Sequence, residues 1–201
     1  MRVPLLLITA LLLLRPPAAR AQGVDFGLTL GMGTVALDGA IADATLLGAA
    51  FGAHFEAHAG IAGWDLFGSI DLGQGSADND NFVAYDVAAR ALGLERRFRL
   101  GSVALPDHRR GALELTLGAG WAHTDVRELS VDGGGGLTYH LGLAAVLDAR
   151  HLRIACVAEL ARFEARMRPD AARPAYAAYA DPDLHLDLTT IWLGLRVEGL
   201  P

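Results

Sequence analysis

His54, Glu56 and His58 occupy alternate positions of one short segment, so an extended chain presents all three on a single face. Imidazole nitrogens and carboxylate oxygens are donors of zinc sites, yet successive side chains on one strand face stand about 7 Å apart. A metal is bridged only if side chains converge and a neighbouring strand contributes, so the sequence alone assigns no metal and no cofactor. The same setting, a polar residue between two apolar ones, recurs at Asp65, Asp71, Asp86, Arg90, Glu114, His140, Arg153, Glu159, His185 and Asp187. Enclosed charges are costly unless paired, so these groups are expected to form an interior network of ion pairs and polar contacts. The surplus of acids over arginines makes histidine protonation part of that network. Nucleophilic catalysis would need a serine within reach of a histidine. Ser69 is the one serine on the polar side of a clear alternating stretch, and no spacing pairs a histidine with it. A non-enzymatic chain is the expectation.

Eight stretches of about ten residues must position these side chains. In each, apolar residues alternate with Gly, Ala, Asp, Glu, His or Thr: Val24 to Gly33, Leu47 to His58, Trp64 to Leu72, Val83 to Leu94, Leu113 to Trp121, Leu137 to Asp148, Leu152 to Leu160 and Leu184 to Val197. A period of two is that of a strand with one face in hydrocarbon and the other in a polar, crowded interior. In the fourth stretch Val83, Tyr85, Val87, Ala89 and Ala91 read as outward, with Asp86 and Arg90 inward. In the eighth, Leu184, Leu186 and Leu188 read as outward against His185 and Asp187. The pattern then shifts to Ile191, Leu193, Leu195 and Val197, which suggests a bulge near Thr189 and Thr190. Phe26, Trp64, Tyr85, Trp121, Tyr139 and Trp192 are expected as outward aromatic girdles at the two membrane interfaces. The expected fold is all-β, an eight-stranded antiparallel up-and-down transmembrane β-barrel occupying residues 22–201.

Connection lengths alternate between tight ones, near Gly60 and at Asp148 to Arg150, and longer polar ones. The stretch from Arg97 to Arg110 is the exception. Thr34 to Thr45, Gln74 to Asn81, Thr124 to Gly135 and the Pro-rich run from Met167 read as loops at one end, the expected places for partner contact. Acidic Asp78, Asp80, Asp125 and Asp132 in them read as solvated charge. The first 21 residues join Arg2, an apolar run from Leu5 to Leu14 and Ala19-Arg20-Ala21, the layout of a cleaved secretory leader. That run is too short to cross a bilayer as a helix. All seventeen basic residues are arginine and three precede residue 22, leaving fourteen against twenty-three acids. Such a balance argues against nucleic acid as a partner. The lone Cys156 forms no internal disulfide.

On the eight segments quoted, the chain resembles the small eight-stranded outer-membrane barrels, the group that includes the OmpA-type transmembrane domain and its short relatives. The resemblance implies export to the outer membrane of a Gram-negative bacterium. Lipid, lipopolysaccharide and the barrel-assembly machinery are the implied partners, a monomer is the implied state, and the implied role is structural or adhesive. A narrow acid-lined path for small cations or solutes is the alternative on the same fold. A lipid-modifying enzyme would need the missing Ser–His pair. A soluble lipocalin-like barrel would turn its apolar face inward around a ligand.

Overall fold

The computed structural model describes residues 25–38, 50–61, 64–76, 84–106, 109–126, 131–149, 151–169 and 185–199, and the expected leader lies outside them. Eight strands form among these residues: β1 (Asp25–Asp38), β2 (Ala50–Ile61), β3 (Trp64–Ser76), β4 (Ala84–Ala104), β5 (Arg110–Val126), β6 (Val131–Ala149), β7 (Leu152–Pro169) and β8 (His185–Gly199). Each pairs antiparallel with the next in sequence, and β1 also pairs with β8, from Phe26 opposite Gly199 to Asp38 opposite Asp187. The sheet is thereby closed, which removes the unpaired edges an open sheet would carry. The end holding the start of β1 and the finish of β8 is the proximal end, and the other is the distal end.

Side-chain parity sets what each surface touches. Phe26, Leu28, Leu30 and Met32 stand outward on β1 while Gly27 and Thr29 are buried between them. On β2, Phe51 and Phe55 are exposed, whereas His54, Glu56 and His58 are buried. Phe26 at 67% and Leu193 at 69% exposure belong to a continuous outer belt of Leu, Ile, Val and Phe around the barrel. Along β7 this belt runs from Leu152 to Leu160, nine residues that span roughly 22 Å when tilted as barrel strands are. An apolar surface of that extent around a polar interior fits hydrocarbon and not water, so the inward-facing apolar wall of a lipocalin-like barrel is not what the chain builds.

Two strands differ from their sequence reading. On β4, Val87, Ala89 and Ala91 are buried and Arg90 is exposed, so Asp86 and Arg90 lie on the outer face and not in the lumen. On β8, Leu188 is fully buried and Asp187 faces outward; no register shift occurs at Thr189 and Thr190, where pairing with both β1 and β7 is continuous. One physical cause explains both. Near the distal end the strands leave the hydrocarbon and the interior becomes apolar, which inverts the alternation without moving a residue. The stretch from Arg97 to Arg110 is mostly strand as well: β4 continues to Ala104 past a register shift between Arg99 and Gly101, and Leu105 N–H bonds to the Arg109 carbonyl to close the hairpin. The expected loop from Thr124 to Gly135 shrinks to four residues between β5 and β6.

Candidate functional site

The interior is layered along the barrel axis, and arginines occupy its proximal layer. Arg97, on β4, donates to Glu95 Oε1 at 2.7 Å, lies 3.1 Å from Asp65 and pairs with Glu198 across the barrel. Arg153 donates to Asp148 at 2.7 Å and to Glu198 at 3.1 Å. Arg196 bonds Glu114 at 3.1 Å, and Arg99 reaches Glu114 at 3.3 Å and Asp148 at 3.0 Å. Glu198 also faces His58 Nε2 at 3.2 Å. Glu114, Asp148 and Glu198 each meet more than one cation, the arrangement that offsets the loss of hydration on burial.

The central layer has a different chemistry. His54 Nδ1 and Asp71 Oδ1 are 2.6 Å apart, both buried, and the His54 ring stacks on Trp192 with centroids 5.7 Å apart. His140 Nε2 lies 3.0 Å from Glu95 Oε2, with Phe67 edge-on to its ring at 4.7 Å. Glu56 and Glu159 join this layer from β2 and β7, both buried. None of Arg97, Arg99, Arg153 and Arg196 pairs with Glu56, Asp71 or Glu159. Small residues make the room. A Cβ on Gly118 would overlap the His140 imidazole, and one on Gly27 the His58 imidazole. An apolar cluster begins beside the two histidines with Phe67 and Trp192 and continues through Val35, Val87, Ala89, Phe163 and Leu188 into the distal part.

Of the residues expected in the interior, His54, Glu56, His58, Asp71, Glu114, His140 and Glu159 are buried, and Asp65 and Arg153 are half-buried within the proximal ion pairs. Asp86, Arg90 and Asp187 are outside. Gln74 donates to Asp86 at 3.3 Å, and Arg162 to Asp187 at 2.7 Å. With exposed His123 they form a polar distal rim on the outer wall. His185 lies in β8 opposite Arg166, its side chain outside the described ones. Glu95, Arg97, Arg196 and Glu198 belong to the network without having been expected there. The signal is present in the sequence, because Leu92 and Leu94, like Leu195 and Val197, stand outward and their alternation turns these four inward.

The aromatic girdle is also redrawn. Phe26 and Trp121 face outward and exposed, while Trp64 is half-buried at the proximal end, where Arg96 packs 5.4 Å from its ring and 5.3 Å from that of Phe98. Tyr139 donates to Glu164 at 3.4 Å on the outer wall. Tyr85 sits opposite Gly75, its side chain outside the described ones. Trp192 is no girdle residue: at 2% exposure it fills the lumen, its parity fixed by outward Ile191 and Leu193. Ser69 is buried opposite Glu56, and His54, His58 and His140 each face a carboxylate and not its hydroxyl.

A closed eight-stranded sheet with an apolar outer belt and an enclosed ionic core defines the class: a transmembrane β-barrel. No protein-family model matches the chain, and no curated protein matches it. Among solved structures it is similar to Neisserial surface protein A, at 9% identity and a TM-score of 0.47 over 88% of this chain and 99% of that one. It is also similar to Ail, the attachment invasion locus protein of Yersinia pestis, at 13% identity and a TM-score of 0.42 over 88% and 99%. A major outer membrane protein from Thermus thermophilus gives 13% identity and a TM-score of 0.41 over 88% and 100%.

Proposed function

We propose that this chain is a non-enzymatic barrel of the Gram-negative outer membrane, exported by a leader, residues 1–21, that is then removed, and that it serves as a rigid closed support for its distal loops. The observation that carries this reading is the filled lumen. Phe163 and Leu188 occupy its distal part, Trp192 fills its middle, and the Arg97, Arg153 and Arg196 ion pairs occupy its proximal part. Eight strands enclose an interior just wide enough for side chains to fill. Its partners in this role are the bilayer, the lipopolysaccharide facing the Arg90 and Arg162 rim, and the assembly machinery that inserts it. The chain acts as a monomer.

A second reading, a narrow cation path, draws on the central carboxylates Glu56, Asp71 and Glu159, which the proximal arginines do not neutralise. Planar-bilayer recording separates the two. The purified barrel is expected to give no steady conductance, and cation-selective steps altered by Glu56→Gln would establish the path instead. Cell fractionation with heat-modifiable gel mobility tests location and closure together. A chain that stays in the soluble fraction, with one mobility before and after boiling, would end the membrane assignment.

A further inference from the structure

We propose that the central layer binds one divalent transition metal of the zinc type, held by His54 Nε2, Glu56 and Glu159. One donor atom from each of these three residues lies within 4.8 Å of the other two. They come from β2 and β7, strands separated by β8 and β1 in the closed sheet, so the fold supplies the convergence that one strand cannot.

A second observation concerns how His54 is held. Its Nδ1 is engaged by Asp71 Oδ1, which leaves Nε2 buried, without a hydrogen-bond partner, on a side chain 4% exposed. Glu56 Oε2 is likewise buried and without a partner. A carboxylate on one imidazole nitrogen that fixes the ring and presents the other nitrogen is the usual outer-shell support of a metal-bound histidine. Two buried acceptor atoms without a donor are costly in a lumen, and a cation satisfies both at once.

The choice between overlapping donor sets follows from what is already engaged. Glu56, His58 and Glu95 form a second close group. There, however, both oxygens of Glu95 are taken, Oε1 by Arg97 and Oε2 by His140, although His58, 3.2 Å from Glu198, makes no hydrogen bond through either ring nitrogen. In the set of His54, Glu56 and Glu159, the arginines of the proximal layer pair with none of the three. One imidazole nitrogen and two carboxylates suit zinc and its neighbours in the first transition row better than magnesium or calcium, which favour all-oxygen sites.

The test is to refold the full barrel in detergent with and without zinc, remove unbound ion by gel filtration, and measure metal per folded chain. One zinc per heat-modifiable barrel is expected, retained in His58→Gln and lost in His54→Gln and Glu159→Gln. Asp71→Asn, which leaves the ligands in place, is expected to weaken binding about 10- to 100-fold. Absence of stoichiometric zinc from the folded wild type would overturn the proposal, and so would equal zinc content in folded His54→Gln. If the His54 and Glu159 variants do not fold, X-ray absorption of the zinc-loaded wild type decides. One imidazole with oxygen donors supports the site; two or more imidazoles, or none, overturns it.

Discussion

Arg97 on β4 and Glu198 on β8 meet across the lumen, joining strands that lie opposite one another in the closed sheet. Arg97 also holds Glu95 and Asp65. Replacing Arg97 with Met therefore takes the cation from Asp65 and one of the partners of Glu95 and Glu198 in a poorly hydrated layer, and a loss of about 3–5 kcal/mol is expected. Urea titration of the barrel in lipid vesicles, read by gel mobility, measures it. The double variant Arg97→Met, Glu198→Gln should lose less than the sum of the two single changes.

Trp192 and Trp121 should report opposite environments. In single-tryptophan variants, brominated acyl chains are expected to quench Trp121, which stands 59% exposed on the outer belt, and to leave Trp192 bright. Trp192→Ala should also cost about 3–5 kcal/mol, because the vacated volume adjoins the His54 ring. Equal quenching of both tryptophans would contradict the inward placement.

Arg90 and Ala89 test the parity of β4 directly. In a Cys156→Ala background, a cysteine at Arg90 is expected to react with a water-soluble maleimide in intact vesicles. One at Ala89, which is fully buried, should not. Reversal of that pattern would restore the inward reading of Arg90.

Gly118 and Gly101 make a matched pair. A side chain at Gly118 meets the His140 ring, so Gly118→Val should displace it from Glu95 and destabilise by about 1–3 kcal/mol. Nothing lies within 4 Å of a Cβ at Gly101, and Gly101→Ala is expected to stay within about 0.5 kcal/mol of wild type. Denaturant midpoints of the two variants check both outcomes.

Much of the architecture is legible in the sequence because the hydrocarbon enforces it. Within the belt, as at Leu28 to Met32 or Leu141 to Leu143, the outward residues are apolar and alternation has one meaning. That meaning changes at the distal end. Val87, Ala89 and Leu188 are apolar because they fill the lumen, while Asp86, Arg90 and Asp187 are polar because they stand on the outer wall beyond the belt. A pattern of two cannot say which medium lies on which side, so alternation alone turns the start of β4 inside out and suggests a bulge that β8 lacks. For the site, the spacing of His54, Glu56 and His58 places them on one face. It does not supply their partners, since Asp71, Glu159 and Glu198 arrive from other strands and only register brings them near.

The apolar cluster closing the distal part and the arginines lining the proximal part carry a kinetic consequence. A hydrated cation outside the finished barrel meets an apolar plug on one side and a mesh of ion pairs filling the lumen on the other, so both routes to the central carboxylates are obstructed. A counter-ion of the core is therefore expected to enter before the sheet closes, and the medium of assembly decides which ion that is.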